Sequence, residues 1–291
     1  MASKPIVAGT DGSEESLRAV DWAAREAVLR GAPLRIVSAV AKPPRMTPHG
    51  SAGQYDTVSD LLVENRDHAL TAAAERAARA APSLLIDADQ LSGAPAQAIV
   101  ESGSGALMLV LGSRGVTEFT ALVLGSVSRY AASHAPCPVV VVRDEPTPAH
   151  GQVGVGVGDL EHCGDALTFA FEEAALRKAR LMAIHAWHAP HASVSWAGDR
   201  FPPPGLHVAA ADAGRRLTLL MDQWREKYPD VPVSEDVVHG HPGRALAGLS
   251  ARADLVVIGR HASHPGLRRL SSVRHAVLNH AQGPIAIVPS S

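Results

Sequence analysis

The chain has 291 residues, 46% hydrophobic and 19% charged, with a formal net charge of −2. That length suits two domains, and the composition suits folded globular units rather than disorder. The charge provides no basic field to hold nucleic acid or an anionic membrane.

The opening Lys4-Pro5-Ile6-Val7-Ala8-Gly9 does not read as a signal peptide. No apolar run reaches the roughly 20 residues of a membrane span. The only cysteines, Cys137 and Cys163, stand far apart without CxxC spacing. The expected setting is therefore a reducing cytoplasm, with neither a disulfide framework nor a zinc site. Aromatic residues make up only 4%, so the cores must be built from Val, Leu, Ile and Ala.

A short apolar strand is predicted over Ile6 to Thr10. A helix follows, with Leu17, Val20, Ala24, Ala27 and Val28 at helical spacing, Ser13 as its N-cap and Gly31 as its stop. Leu34 to Val40 reads as the second strand, Lys42 to Gly53 as a loop and Val58 to Ala81 as a long Ala-rich helix. Strand, short helix, strand, loop and helix come next, and Val139 to Val142 is the last strand of the first half. Residues 144–152 carry Pro146 and Pro148 and read as a linker.

The second half repeats the first. Leu107 to Gly115 aligns with Asp254 to Ala262, a spacing of 147 residues that also pairs Gly93-Ala94-Pro95 with Gly240-His241-Pro242 and Glu26-Ala27 with Glu173-Ala174. Further on the spacing is 146: His134-Ala135 matches His280-Ala281, so one residue is missing from the second copy. The matching elements are strands at Val153 to Val157, Leu181 to Trp187 and Ile285 to Val288, a loop from Pro190 to Gly205, and a helix from His207 to Tyr228. Apolar strands alternating with helices imply parallel sheets buried on both faces. The expected fold is α/β: two tandem Rossmann-like domains, 1–144 and 152–291, each a roughly five-stranded parallel sheet with helices on both faces. Ligands on such sheets sit beyond the strand C-termini, where the strand order reverses.

The fourth strand of the first copy ends at Gly112-Ser113-Arg114-Gly115, and nine residues later comes Gly125-Ser126 at the start of a predicted helix. Glycines allow sharp turns and close approach, successive amides form an anion-binding concavity, and a helix N-terminus adds donors. Spacing alone leaves two readings open, a phosphate cradle or plain turns. The Walker pattern is absent, because no Gly-Lys-Ser/Thr follows the glycines. Strand one ends in Thr10-Asp11-Gly12-Ser13, where Asp11 is either a turn residue or an acceptor for ribose hydroxyls.

These residues resemble the universal stress protein family, here in tandem form. Gly112-x2-Gly115-x9-Gly125-Ser126 matches that family's ATP-binding motif at every fixed position, and Gly9 to Ser16 resembles its usual opening. The resemblance implies ATP, with Mg as its counterion. Gly112, Gly115, Gly125 and Ser126 would hold the phosphates, Asp11 the ribose with Thr10 beside it, and the Val40 backbone the adenine edge. It also implies a nucleotide-responsive regulator of the stress response, a homodimer or pseudo-dimer joined through the last strands, and a regulatory protein partner.

The second copy departs from the motif. Gly158 replaces Asp11, with Asp159 beside it; Ala262 replaces Gly115 and Ser271 replaces Gly125, while Gly259 and Ser272 are kept. Added Cβ atoms narrow the room for a phosphate. Full ATP affinity is not expected there. Arg260, Arg268, Arg269 and Arg274 either attract an anion or decorate the surface. The 15 histidines, including His185, His188, His191, His239, His241, His261 and His264, show no metal-ligand spacing with cysteine or carboxylate partners, so no metal site is expected. Gly154, Gly156 and Gly158 mimic part of a dinucleotide motif but fall within the predicted strand. No GxSxG elbow or paired nucleophile and base is visible, so the chain is not expected to be an enzyme. The alternatives are a nucleotide-independent scaffold, or an enzyme of ATP α-phosphate chemistry or slow ATP hydrolysis.

Overall fold

A computed structural model describes residues 3–40, 67–113, 124–143, 149–158, 162–187, 204–260 and 272–290. The chain divides into two compact units, Met1–Asp144 and Glu145–Ser291.

In the first unit the elements run β1 (Ile6–Gly9), α1 (Glu14–Arg30), β2 (Leu34–Val40), α2 (67–80), β3 (Ile86–Ser92), α3 (Pro95–Ser102), β4 (Met108–Gly112), α4 (Ser126–His134) and β5 (Val139–Val142). Every strand pairing is parallel, in the order β3-β2-β1-β4-β5. Ile6 pairs with Leu34 on one side and Met108 on the other, and Leu109 pairs with Val139. The order therefore reverses between β1 and β4. Helices cover both faces, which is why β1, β4 and β5 are buried along their whole length and read as continuous apolar runs rather than alternating ones.

Helix α1 begins as its sequence predicts. Ser13 has extended backbone geometry and its hydroxyl accepts from the Ser16 amide; Gly31 closes the other end with φ +60°, its amide donating to Ala27 and Val28 carbonyls. The buried stripe is Ala19, Val20, Ala23, Ala24 and Ala27. Val28 was expected on that stripe and is instead 53% exposed. It lies about 100° around the helix from Ala27, past the edge of the buried face. Of the predicted 58–81 helix, 67–80 is observed and 58–66 lies outside the described residues. The 42–53 loop lies outside them too.

The second unit contains β6 (Gln152–Gly156), α5 (Gly164–Arg177), β7 (Arg180–Trp187), α6 (Pro204–Lys227), β8 (Val233–His239), α7 (Pro242–Ser250), β9 (Leu255–Arg260), α8 (Ser272–His280) and β10 (Ile285–Pro289). The pairings are again parallel, in the order β10-β9-β6-β7-β8. Helix α6 starts three residues before the predicted His207, because Pro204 suits a first helical position, where no amide donor is needed. Gly154 and Gly156 lie inside β6, where a Cβ at Gly156 would come within 2.9 Å of Leu246 and one at Gly154 would collide with Leu249. They permit packing of α7 on the strand and form no dinucleotide loop. Phe171, Trp224 and Tyr228 stack together, with Phe171 5.5 Å and 5.1 Å from its two neighbours, and so join α5 to the end of α6.

The repeated Glu26 and Glu173 explain themselves here. Both are buried inside α1 and α5, at 2% and 0% exposure, and each is paired to the arginine four residues on, Arg30 or Arg177. Breaking such a pair leaves a carboxylate in a poor solvent. Because Arg177 keeps some contact with water, we expect Arg177→Met to destabilise the second unit by about 2 kcal/mol, below the usual loss for a fully buried pair. Urea unfolding of the variant measures this; an unchanged midpoint would remove the pair from the account.

Candidate nucleotide-binding site

The C-terminal end of β1 is held by a small polar network. Thr10, 5% exposed, places its Oγ1 3.0 Å from the Ser16 hydroxyl, and the Gly12 amide donates to the same Thr10 oxygen at 3.2 Å. Asp11 Oδ1 accepts from the Ser13 amide at 3.0 Å and from the Ser13 hydroxyl at 2.6 Å. This is the turn geometry open to an aspartate at this position, and it fixes the carboxylate at the strand end. Gly12 has φ +85°, and a Cβ there would lie 2.8 Å from the Cβ of Ala69 on α2. Only glycine meets both conditions.

Gly112 ends β4 against the first turn of α1. A Cβ on it would stand 2.8 Å from the Glu15 carbonyl carbon and oxygen, and 3.0 Å from the Ser16 amide nitrogen. Ser16 thus touches the turn after β1 and the end of β4 together. It was absent from the predicted site, although it stands within the Gly9 to Ser16 opening. The signal available was two serines three apart at a helix start, a spacing that lets one cap the other.

Beyond β4, the Ser113 amide donates to the Val142 carbonyl and the Gly125 amide donates to the Ser113 carbonyl at 2.8 Å. Ser113 and Gly125 therefore meet, although eleven positions of sequence separate them. Ser128 Oγ donates to the Gly112 carbonyl at 2.6 Å and ties α4 to the strand. Gly125 occupies the N-cap of α4, so no side chain caps this helix. The first amide to find an intrahelical acceptor is that of Arg129, on the Gly125 carbonyl. The amides of Ser126, Val127 and Ser128 precede it and have no acceptor within the helix. Ser126 is exposed. Ser113 is 1% exposed, and its hydroxyl has no hydrogen-bond partner among the described residues. A second buried hydroxyl, on Ser38 of β2, is in the same position.

The structure thus brings Thr10, Asp11 and Gly112 around Ser16, and Gly125 and Ser126 to the adjacent helix start. Val40 ends β2, paired with Ser92 of the edge strand β3. Gly115 lies outside the described residues.

In the second unit the equivalent region is built differently. Helix α5 starts at Gly164, three residues later than α1 by the 147-residue repeat, and its N-cap Cys163 makes no side-chain cap. Among the described residues, a Cβ on Gly259, the counterpart of Gly112, would meet only the Ala166 Cβ at 3.7 Å. Where α1 presses on β4, α5 leaves space. A cavity of about 310 Å³ fills it, bounded by the ends of β6, β7 and β9 and by α5, α7 and α8.

Arg274 replaces Ser128 at the third position of the helix and lines this cavity at 5% exposure. It is not a surface decoration. Burial, and then the like charge of Arg260, push its pKa below the ordinary arginine value. Arg268, Arg269, Asp159, Ala262 and Ser271 lie outside the described residues. His185 bonds the Val157 carbonyl through Nδ1 at 2.8 Å, and His241 caps α7 by accepting from the Gly243 amide. Among the described residues, no three His, Cys, Asp or Glu side chains are grouped so as to hold a metal ion. No described helix is long and apolar enough to cross a membrane.

Fold and site together define a tandem pair of doubly wound α/β units, each reversing its strand order between its first and fourth strands. The Universal stress protein family profile matches twice, over residues 2–143 and 150–289. Universal stress protein Rv1996 of Mycobacterium tuberculosis is 34% identical over 301 aligned positions, covering 97% of this chain and 94% of its own. Universal stress protein Rv2005c of the same organism is also 34% identical, covering 98% and 97%. Among solved structures, a universal stress protein from Archaeoglobus fulgidus superposes with a TM-score of 0.70 at 18% identity, covering 99% of both chains, and so shares the fold. The chain belongs to the universal stress protein family, in its tandem two-domain form.

Proposed function

We propose that the first unit binds ATP and that the protein is a non-catalytic, nucleotide-responsive regulator. The observation that carries this reading is the start of α4: a helix with no side-chain cap whose first three amides lack intrahelical acceptors, beside the buried hydroxyl of Ser113, which has no hydrogen-bond partner among the described residues. Buried polar groups normally have partners, and a helix N-terminus favours an anion. The fit is specific in its chemistry. Ser126, through its amide and hydroxyl, would donate to phosphate oxygens, and so would the Val127 and Ser128 amides. The Gly125 amide is bonded to Ser113 and contributes by closing the loop. Asp11, steadied by Ser13, would accept from ribose hydroxyls, and the Val40 backbone would meet the adenine. Bound ATP, with Mg as counterion, would supply the negative charge this end of the sheet is arranged to receive.

In this reading the nucleotide acts by occupancy. It would change the surface offered to a protein partner beside the start of α4. The test is direct. The purified protein is denatured and its supernatant chromatographed, and nucleotide-free protein is titrated with ATP. The reading expects an adenine nucleotide in the supernatant or saturable binding. Absence of both would overturn it. Conversion of ATP to AMP and pyrophosphate by the wild-type protein would replace the regulator by an enzyme.

A further inference from the structure

The turn after β1 is held by a set of hydrogen bonds whose proton directions follow from its chemistry. Ser16, 4% exposed in the first turn of α1, has one hydroxyl proton and donates it to the Ser13 carbonyl at 2.8 Å, which can only accept. Its oxygen therefore accepts from the Thr10 hydroxyl at 3.0 Å, and from the Asp11 amide at 3.3 Å. Thr10 is tied to β2, because its amide donates to the Val37 carbonyl, and its hydroxyl oxygen accepts from the Gly12 amide. Ser13 binds the Asp11 carboxylate to the turn, and Ser16 binds the turn to α1. The amides of Asp11, Gly12 and Ser13 all donate to side chains of the same segment. The turn is built to hold a carboxylate in place, not to bind an anion through its amides. By the 147-residue repeat, Thr10, Asp11 and Ser16 correspond to Val157, Gly158 and Cys163. The second unit has lost the carboxylate together with the two hydroxyls that anchor its turn.

We propose that Ser16 is a positioning residue for nucleotide selection: without touching the ligand, it fixes the direction of the Asp11 carboxylate and so sets the preference for a ribose over a deoxyribose. This rests on the ATP reading of the first unit. An ionised carboxylate accepts at about four sites, so bonds that orient it and bonds to sugar hydroxyls coexist. Removing the Ser16 hydroxyl leaves the Asp11 amide and the Thr10 hydroxyl without their acceptor. The turn, carboxylate included, is then no longer fixed to α1. A hydrogen bond weakens steeply as its angle departs from linear, so a displaced Asp11 loses the sugar contact. The amides at the start of α4 are untouched.

The test compares ATP, 2′-deoxy-ATP and 3′-deoxy-ATP by calorimetry on the full chain, as wild type and as Ser16→Ala. Wild type is expected to bind at least one deoxy form about tenfold more weakly than ATP, the order of one charge-assisted hydrogen bond. In Ser16→Ala that ratio is expected to fall to within about threefold of unity, because ATP loses affinity and the deoxy form does not. A merely structural contribution would weaken all three nucleotides by one factor and leave the ratio standing. Should Ser16→Ala not fold, Ser16→Cys keeps the size of the side chain with a weaker acceptor, and it is expected to lower the ratio in the same direction. An unchanged ratio in the folded variant overturns the proposal and leaves ATP binding intact. Equal wild-type affinity for all three nucleotides also overturns it. Wild-type protein that binds no ATP overturns it together with the reading on which it rests.

Discussion

Ser126→Pro is expected to weaken ATP binding about 100-fold while leaving the first unit folded. Proline is tolerated at the first position of a helix, where the amide it lacks has no intrahelical use. The residue before a proline must be extended, and Gly125 already is, with φ −56° and ψ 148°. Ser126 is exposed, so no packing is lost. The change therefore deletes one backbone donor and one hydroxyl donor and little else. A hydrogen bond to a charged group contributes about 1.5–3 kcal/mol, and two at the lower figure correspond to about two decades of affinity. Calorimetric titration measures the loss, and circular dichroism checks the fold. Affinity within about threefold of wild type would show that phosphate does not reach this helix end.

The second large effect distinguishes the two copies of one glycine. Gly112→Val is expected to destabilise the first unit by about 3 kcal/mol, whereas Gly259→Val in the second unit stays within about 1 kcal/mol of neutral. At Gly112 the new Cβ falls 2.8 Å from backbone atoms of Glu15, which cannot rotate aside as a side chain could. The start of α1 must move, and with it Ser16 and the network around Thr10 and Asp11. ATP affinity should fall in the same variant. At Gly259 the Cβ meets, among the described residues, only the Ala166 methyl at 3.7 Å, an ordinary contact. Urea unfolding of both variants measures the difference. Equal losses would mean that the two helices approach their strands equally closely.

Both expectations rest on features whose visibility in the sequence differs. The strands were legible because a sheet buried on both faces leaves uninterrupted apolar runs, as in Val139–Val142 and Met108–Gly112. The ends of α1 were legible because Ser13 and Gly31 each solve a local backbone problem. Val28 was misplaced because periodicity marks a stripe but not its edge, which the neighbouring strands decide. The burial of Arg274 could not be read at all. A lone arginine in a first helical turn looks like a solvated charge, and only the late start of α5 creates the space it lines. Gly112 shows a subtler limit. The motif presents it as part of a phosphate cradle, and the structure gives it a steric duty toward α1 that spacing does not reveal. Glu26 and Glu173 were seen only as a repeated identity; the buried ion pairs supply the physical reason for it.

The most direct measurement is an amide-resolved NMR titration of the full chain with ATP. The Ser126, Val127 and Ser128 amides should shift together, saturate at one equivalent, and keep shifting partners in Ser113 and Asp11. Unmoved amides at the start of α4, with ATP nonetheless bound and the shifts confined to the second unit, would contradict the account.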